Sequence, residues 1–561
     1  MNPLTQLTLN SLLSHSAKEY SDRPSLAFAG KSPVSYSRLA SKVKEVSSFL
    51  LSMNIRQGDK VAILSENMPN WGIAYFAICT TGAIAVPILT DFTGKEINKI
   101  LTHSGSVAIF VSENLTEKVR ENIPPNVENV VLINNFSRIN RDVVNLTGEI
   151  TEEPFPDPKE ASAEVNGKTV EEDDTAVILY TSGTTGNPKG VMLSHRNIVS
   201  NAVNTMKIQE VGKTDRLLSV LPLPHTYECT IGLIIPLMNG ASVYYLDKPP
   251  VADVLLAAMK EVKPTMMLTV PLIIEKVYRK KVVPKLQGSP VIRKLMKIPR
   301  LRKFFHRMAG KKLEKSFGGK LHFFGIGGAK LSADTELFLR DASFPYAIGY
   351  GLTETSPLLA GCSPSKTRYR STGFPLPGQE LKILDPDPLT GEGEIVARGP
   401  NIMKGYFRDE KSTKEAFTDD GWFRTGDLGV LDSDNYLYIK GRLKNMILSS
   451  TGENIYPEEI ESVINTQSHV LESLVYEMRG KLVARVHLNY NEMEKHYRYF
   501  RKTAHSMQSN MKVVVTDKLE EIKKRVNAEL NKFSRLSAIH EQEDPFEKTP
   551  TKKIKRYLYK D

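Results

Sequence analysis

The sequence is poor in the features that mark whole classes of protein. Its 561 residues hold three cysteines, Cys79, Cys229 and Cys362. They lie too far apart for a disulfide framework or a metal-spacing pair, which fits a reducing compartment. The opening Met-Asn-Pro-Leu-Thr-Gln-Leu has no basic stretch followed by an apolar block, so no export signal is read. Internal repeats and low-complexity tracts are missing. So are a Gly-x-Ser-x-Gly elbow and any cysteine in a catalytic signature, which argues against covalent chemistry on a side-chain nucleophile. One long uncharged run, residues 70–89 (NWGIAYFAICTTGAIAVPIL), has about the length that spans a bilayer. Thr80-Thr81-Gly82 and Pro87 interrupt it, so it reads as a core helix followed by a core strand.

An apolar content of 40% with 25% charged residues is that of a soluble globular protein, and the length calls for at least two cores. The net charge of +11 is unevenly spread. Between Lys276 and Lys320 sixteen Lys/Arg face one acid, Glu314, so this segment carries +15 and the remainder about −4.

The first four hundred residues alternate helix and strand patterns. Leu39, Val43, Val46 and Leu50 recur at helical spacing, and Lys60-Val-Ala-Ile-Leu64 follows as a strand; the alternation continues to Val130-Val-Leu-Ile133. Such β–α alternation predicts an α/β fold of parallel-type sheets with flanking helices. Residues 149–171, acidic and Pro-containing, read as an exposed connector. From about 370 to 440 short alternating runs, Gly393–Arg398 and Asn435–Ile439 among them, predict an antiparallel or barrel-like unit. A smaller region follows Gly441, with a helix over 517–534 whose Leu519, Ile522, Val526, Leu530 and Phe533 share one face.

The chemistry begins at Thr181-Ser-Gly-Thr-Thr-Gly-Asn-Pro-Lys-Gly190, a Gly/Thr/Ser-rich turn after the buried-strand signal Ala176–Tyr180. Backbone N–H groups, hydroxyls and one lysine are what polyphosphate binding needs. This is not the P-loop of kinases and GTPases, because Pro188 precedes Lys189 and Gly190 follows it. Read alone, the loop could also be an ordinary glycine-rich turn.

The loop resembles the phosphate loop of the adenylate-forming superfamily, which includes acyl-CoA synthetases, luciferases and peptide-synthetase adenylation domains. Further segments resemble that family in order: Gly325-Ile-Gly-Gly-Ala329, Tyr350-Gly-Leu-Thr-Glu354, Trp422-Phe-Arg-Thr-Gly-Asp427, Lys440-Gly-Arg-Leu-Lys444, Asn454–Glu461 and Thr549-Pro-Thr-Lys-Lys-Ile-Lys-Arg556. The resemblance implies nucleotide contacts from Thr181, Ser182, Gly183, Thr184, Thr185, Gly186, Gly327, Gly328, Ala329, Tyr350 and Gly351. It further implies that Thr353 meets the α-phosphate, Glu354 binds Mg2+, and Asp427 and Arg442 reach ribose. Lys444 would be the hinge, and Lys189 and Lys553 would act on the phosphates. Lys552 stands where the family usually has glycine, so it is an adjacent competitor to Lys553. Ser449–Asn454 is one residue longer than the commoner family spacing, and coenzyme A contacts are not carried over.

A large N-terminal domain (1–440) with a small barrel-like unit, then a mobile α+β C-terminal domain (441–561), is thus expected. ATP, Mg2+ and coenzyme A would be the ligands. Leu221-Pro-Leu-Pro-His225-Thr-Tyr-Glu228 and Lys263–Pro271 resemble segments of long-chain fatty acyl-CoA synthetases, with His225 near the acyl carboxylate or tunnel mouth; a structural histidine is the alternative. The Met-Met-Leu run at 266–268 suits an apolar wall or plain core. Other expectations stay open: a ligase for an aryl or branched acid, a carrier-protein-directed acyl-AMP ligase, or a non-catalytic ATP-binding scaffold. The segment 276–320 interleaves cations with large apolar residues, which suits an anionic membrane surface; a solvated insertion is the rival, and no nucleic acid is expected. The expected location is cytoplasmic, peripheral on a membrane.

Overall fold

The computed structural model describes residues 4–120, 123–139, 152–153, 169–181, 188–448, 454–493, 509–550 and 553–559. Among them, two large sheets dominate. One has nine strands in the order Gly405–Tyr406, Lys189–Ser194, Thr175–Thr181, Ile84–Ile88, Lys60–Leu64, Ser106–Val111, Asn129–Leu132, Arg138–Ile139, Glu152–Glu153. Its centre is parallel and its edges antiparallel. The second, of seven strands, runs Tyr346–Ile348, Phe323–Ile326, Met266–Thr269, Arg216–Leu218, Ser242–Tyr245, Pro24–Phe28, Val34–Ser35, antiparallel only at the last pair. Parallel strands need crossovers that cover the sheet faces with helices, hence the β–α alternation in the sequence.

The uncharged run is the helix Pro69–Thr80 followed by the strand Ile84–Ile88. Trp71 through Cys79 are all buried, so this helix has no polar face and no amphipathic period. Its Gly72 lets the backbone approach Leu26: a Cβ there would stand 3.3 Å from the Leu26 side chain. No helix among the described residues is long and apolar enough to cross a membrane.

The antiparallel unit expected over 370–440 is an open four-stranded sheet (Glu380–Leu384, Gly393–Arg398, Phe423–Leu431, Leu437–Arg442) beside a three-stranded one, joined through Ala360, Ile395 and Leu437. It is not a closed barrel. Asn435, expected within the last strand, sits in the turn before it with φ 61°. Residues from Ile455 to Leu536 form their own apolar cluster around the helix Ser509–Glu529. There Leu519, Ile522 and Val526 are buried, but the helix ends before Phe533, which is 42% exposed and leaves the expected apolar face. Most of the 149–171 connector lies outside the described residues; Glu152–Glu153 pairs as the sheet edge.

Candidate active site

Backbone hydrogen bonds bring two of the motifs together. Strand Lys189–Ser194 pairs with Thr175–Thr181 on one side and Gly405–Tyr406 on the other. Phe407 N donates to Gly190 O (2.7 Å), Lys404 N to Met192 O and Met403 N to Glu354 O (both 2.9 Å). The end of the phosphate loop and the turn Thr353–Thr355 are thereby held on one short segment, 403–407. Lys189 Nζ donates to Ser412 Oγ (2.7 Å) and lies 4.9 Å over the Tyr406 ring, while Tyr406 Oη donates to Glu354 Oε1 at 3.0 Å. Ser182, Gly183, Thr184, Thr185 and Gly186 lie outside the described residues; Thr181 ends its strand.

Asp427 and Arg442 are directly paired across neighbouring antiparallel strands. Arg442 Nε meets Asp427 Oδ1 at 2.8 Å, and the Tyr350 phenol donates to Oδ2 at 2.7 Å. Burial raises the Asp427 pKa, opposed by Arg442, Tyr350 and Lys553. Each carboxylate oxygen keeps a second lone pair for a hydroxyl donor. Gly351 is required by space, since a Cβ there would lie 1.8 Å from Pro357 O. At Gly327 the fit is tight but less strict, a Cβ standing 3.2 Å from the Tyr227 ring, while Gly328 and Ala329 stand exposed at the turn.

Lys553 stands in the same cleft. Its tail is a small hairpin, with Lys548 bridged to Ile554 and Thr549 N donating to Lys553 O at 2.8 Å. Arg556 anchors the tail to the helix Pro457–Ile464 through Glu461 (2.5 Å), and Lys330 ties that helix to the large sheets through Glu459 (2.8 Å). Lys553 is reachable by solvent, yet the protein around it and Arg442 lower its pKa, while Asp427 and Glu354 act the other way. Lys552 lies outside the described residues. Lys444 sits exposed in the turn Leu443–Asn445 that leaves this sheet.

His225 precedes the π-helical segment Tyr227–Ile234. Burial lowers its pKa to about 4, Lys553 adds to the lowering and Asp91 opposes it. Tyr227 and Ile231 line an apolar pocket beside that segment, together with Met266, Leu268, Gly325, Gly349, Leu358 and Gly361. Met267, between the two wall residues, points instead into the core on the other face of the sheet.

The donor set fits ATP and Mg2+. Glu354 Oε2 has no hydrogen-bond partner among the described residues, and no cluster of three metal-ligating side chains occurs among them. Mg2+ suits such a site, because it usually takes one or two carboxylates and completes its shell with phosphates and water.

A family model described as AMP-binding enzyme matches residues 13–407. The chain belongs to the AMP-binding enzyme family. This AMP-binding enzyme is 28% identical over 560 residues to a long-chain-fatty-acid–CoA ligase, FadD15 of Mycobacterium bovis, covering 93% of this chain and 90% of the relative. It is 28% identical to the putative acyl-CoA synthetase YngI of Bacillus subtilis, covering 84% and 85%. Among solved structures it resembles the Bacillus subtilis o-succinylbenzoate–CoA synthetase MenE in complex with ATP and magnesium ion, with TM-score 0.72, 25% identity and coverage of 98% and 99%. It is an enzyme of the adenylate-forming, AMP-forming CoA ligase class.

Sequence reasoning missed Tyr406 and Ser412. Neither falls in a motif, and only the pairing of Gly405–Tyr406 with the phosphate-loop strand brings them to Lys189.

Proposed function

We propose that the chain is an AMP-forming long-chain fatty acyl-CoA synthetase. The observation that carries the reading is one cleft in which Lys553 interacts electrostatically with Arg442, Asp427, Glu354 and His225, the last standing two residues before the π-helical segment that helps line the apolar pocket. A carboxylate oxygen of the acid attacks the α-phosphorus of ATP. The bond to the bridging oxygen breaks, and pyrophosphate leaves with the electron pair. Lys189, Thr353 and Lys553 offset negative charge on the phosphates, which is electrostatic catalysis without a protein nucleophile. Tyr350, Asp427 and Arg442 orient the nucleoside. Magnesium, when bound at Glu354, neutralises further phosphate charge. The coenzyme A sulfur then attacks the acyl carbon, and the C–O bond to AMP breaks. Rotation of residues 441–561 about Lys444 would withdraw Lys553 between the two steps.

The apolar walls and the similarity to FadD15 support an aliphatic acid. An aryl acid is the second reading, favoured by the likeness to MenE, named for o-succinylbenzoate. The cytoplasmic, membrane-peripheral location belongs to the same proposal and rests on the basic segment 276–320. ATP–pyrophosphate exchange across short, long, branched and aryl acids tests the reading, followed by thioester formation with coenzyme A against carrier protein. Long aliphatic acids and coenzyme A are expected to give the highest kcat/KM. Preference for an aryl acid would replace the long-chain reading, and no exchange with any acid would reject adenylation.

A further inference from the structure

Seven of the sixteen cations between Lys276 and Lys320 lie on the helix Pro299–Ser316, which sorts them by face. One face is fixed to the protein: His306, Gly310 and Leu313 are buried, Arg302 pairs with Asp341 at 2.8 Å, and a Cβ on Gly310 would come within 2.6 Å of Ala342 Cβ. The opposite face is therefore held toward solvent. It presents Arg300, Lys303, Arg307, Lys311 and Lys315, all exposed at helical spacing, none ion-paired among the described residues. Between them stand Phe304, 56% exposed, and Met308, 49% exposed, one turn apart. The short helix Pro290–Leu295 just before it adds Val291 (65%) and the loop adds Ile298 (49%).

Large apolar side chains left in water amid unpaired cations are out of place on a merely solvated face. We propose that the outer face of Pro299–Ser316 docks on an anionic lipid bilayer, its cations at the phosphate headgroups and Phe304 and Met308 entering the acyl boundary. Cations that flank exposed apolar side chains suit a surface where Lys/Arg meet anionic headgroups and the apolar groups leave water. A nucleic acid would use the cations but gains nothing from Met308, Val291 or Ile298 at a phosphate backbone. The inference deepens the peripheral location proposed above and does not depend on the reaction.

Co-sedimentation of the full chain with phosphatidylglycerol–phosphatidylcholine vesicles, against phosphatidylcholine alone, tests it. Binding is expected only with the anionic vesicles and should weaken as salt rises. Each basic residue near such a surface is worth about fivefold in partition. Lys303→Glu, Arg307→Glu and Lys311→Glu combined should therefore lower partition by at least ~100-fold with the melting temperature unchanged. Phe304→Trp, in an otherwise native chain, should show a blue-shifted emission on anionic vesicles. Undiminished partition of the triple variant, equal binding to neutral vesicles, or an unshifted Trp emission would each overturn the proposal. So would tighter binding to duplex or single-stranded oligonucleotides than to vesicles, lost in the same variant. Sedimentation needs no turnover, so failure of docking and failure of the adenylation reading are read separately.

Discussion

The Tyr406 phenol donates to Glu354 Oε1 at 3.0 Å while the Lys189 ammonium rests 4.9 Å over the same ring. One side chain thus orients the carboxylate proposed to take Mg2+ and holds Lys189 over its ring. Removing only the hydroxyl separates these duties. Tyr406→Phe is expected to raise the Mg2+ concentration for half-maximal pyrophosphate exchange about tenfold or more, since one hydrogen bond to a charged group is worth roughly 1.5–3 kcal/mol. An unchanged Mg2+ titration would detach Tyr406 from the metal site.

Lys553 contributes to the first half-reaction alone if it acts on the phosphates. Lys553→Ala is expected to lower carboxylate-dependent pyrophosphate exchange about 100–1000-fold. Thioester formation from preformed acyl-AMP should persist. Equal loss of both activities would sink the assignment; the matching Lys552→Ala variant should leave exchange within a few-fold of wild type.

Burial and Lys553 hold His225 near pKa 4, below its ordinary 6.5, so it is neutral throughout the physiological range. The kcat/KM profile for adenylation should show no His225 limb between pH 6 and 7, with protonation felt only toward about pH 4. Wild type and His225→Gln are expected to share the same profile shape above pH 5.5. An inflection near 6.5 that disappears in the variant would contradict this environment.

Cavity shape should govern the acid accepted. Ile231, on the wall beside Tyr227, can be enlarged without touching a phosphate contact. Ile231→Phe is expected to lower kcat/KM for long aliphatic acids by about tenfold or more while sparing short ones, since a methylene-scale steric change is worth roughly 1–3 kcal/mol. A uniform loss across chain lengths would place the acyl chain elsewhere.

A buried acid sets a pH-dependent stability. Glu228 accepts from Ser219 Oγ at 2.5 Å, its Oε2 is buried without a partner, and burial raises its pKa from 4.5 to about 8. The folded chain therefore holds a proton that the unfolded chain releases, and stability declines as pH rises from about 4.5 to about 8. Glu228→Gln keeps the Ser219 acceptor and abolishes that decline. Denaturant unfolding should show the variant gaining on the order of 4 kcal/mol on wild type between pH 5 and 8; parallel curves would refute it.

Much of the fold was legible because parallel sheets impose a repeating β–α pattern and because strand cores read as apolar runs. Residues 70–89 were recovered as helix and strand from their Thr-Thr-Gly and Pro interruptions. The ends of elements were less legible. Phe533 continues the helical spacing of Val526 and Leu530, yet the helix stops at Glu529, and a periodicity does not announce where packing ends. Over 370–440 the alternation announced antiparallel strands but left open whether they close, because it reports pleat and not closure; the sheet stays open.

Sequence alone determined the chemistry of the individual parts: a loop of hydroxyls and amides ending in Lys189, a carboxylate at Glu354, a basic tail, and a segment dense in cations. These are local properties of residue type and order. Tertiary structure decided what those parts do to each other. Strand pairing between Lys189–Ser194 and Gly405–Tyr406 brings Tyr406 to Glu354, and docking of the tail brings Lys553 to Asp427 across more than a hundred residues of chain. The rotation of Pro299–Ser316 about its axis, set by Leu313 and Gly310 against the core, decided which cations and which aromatic ring face outward. Contacts between distant segments depend on hydrogen-bond register and packing, which no local pattern encodes.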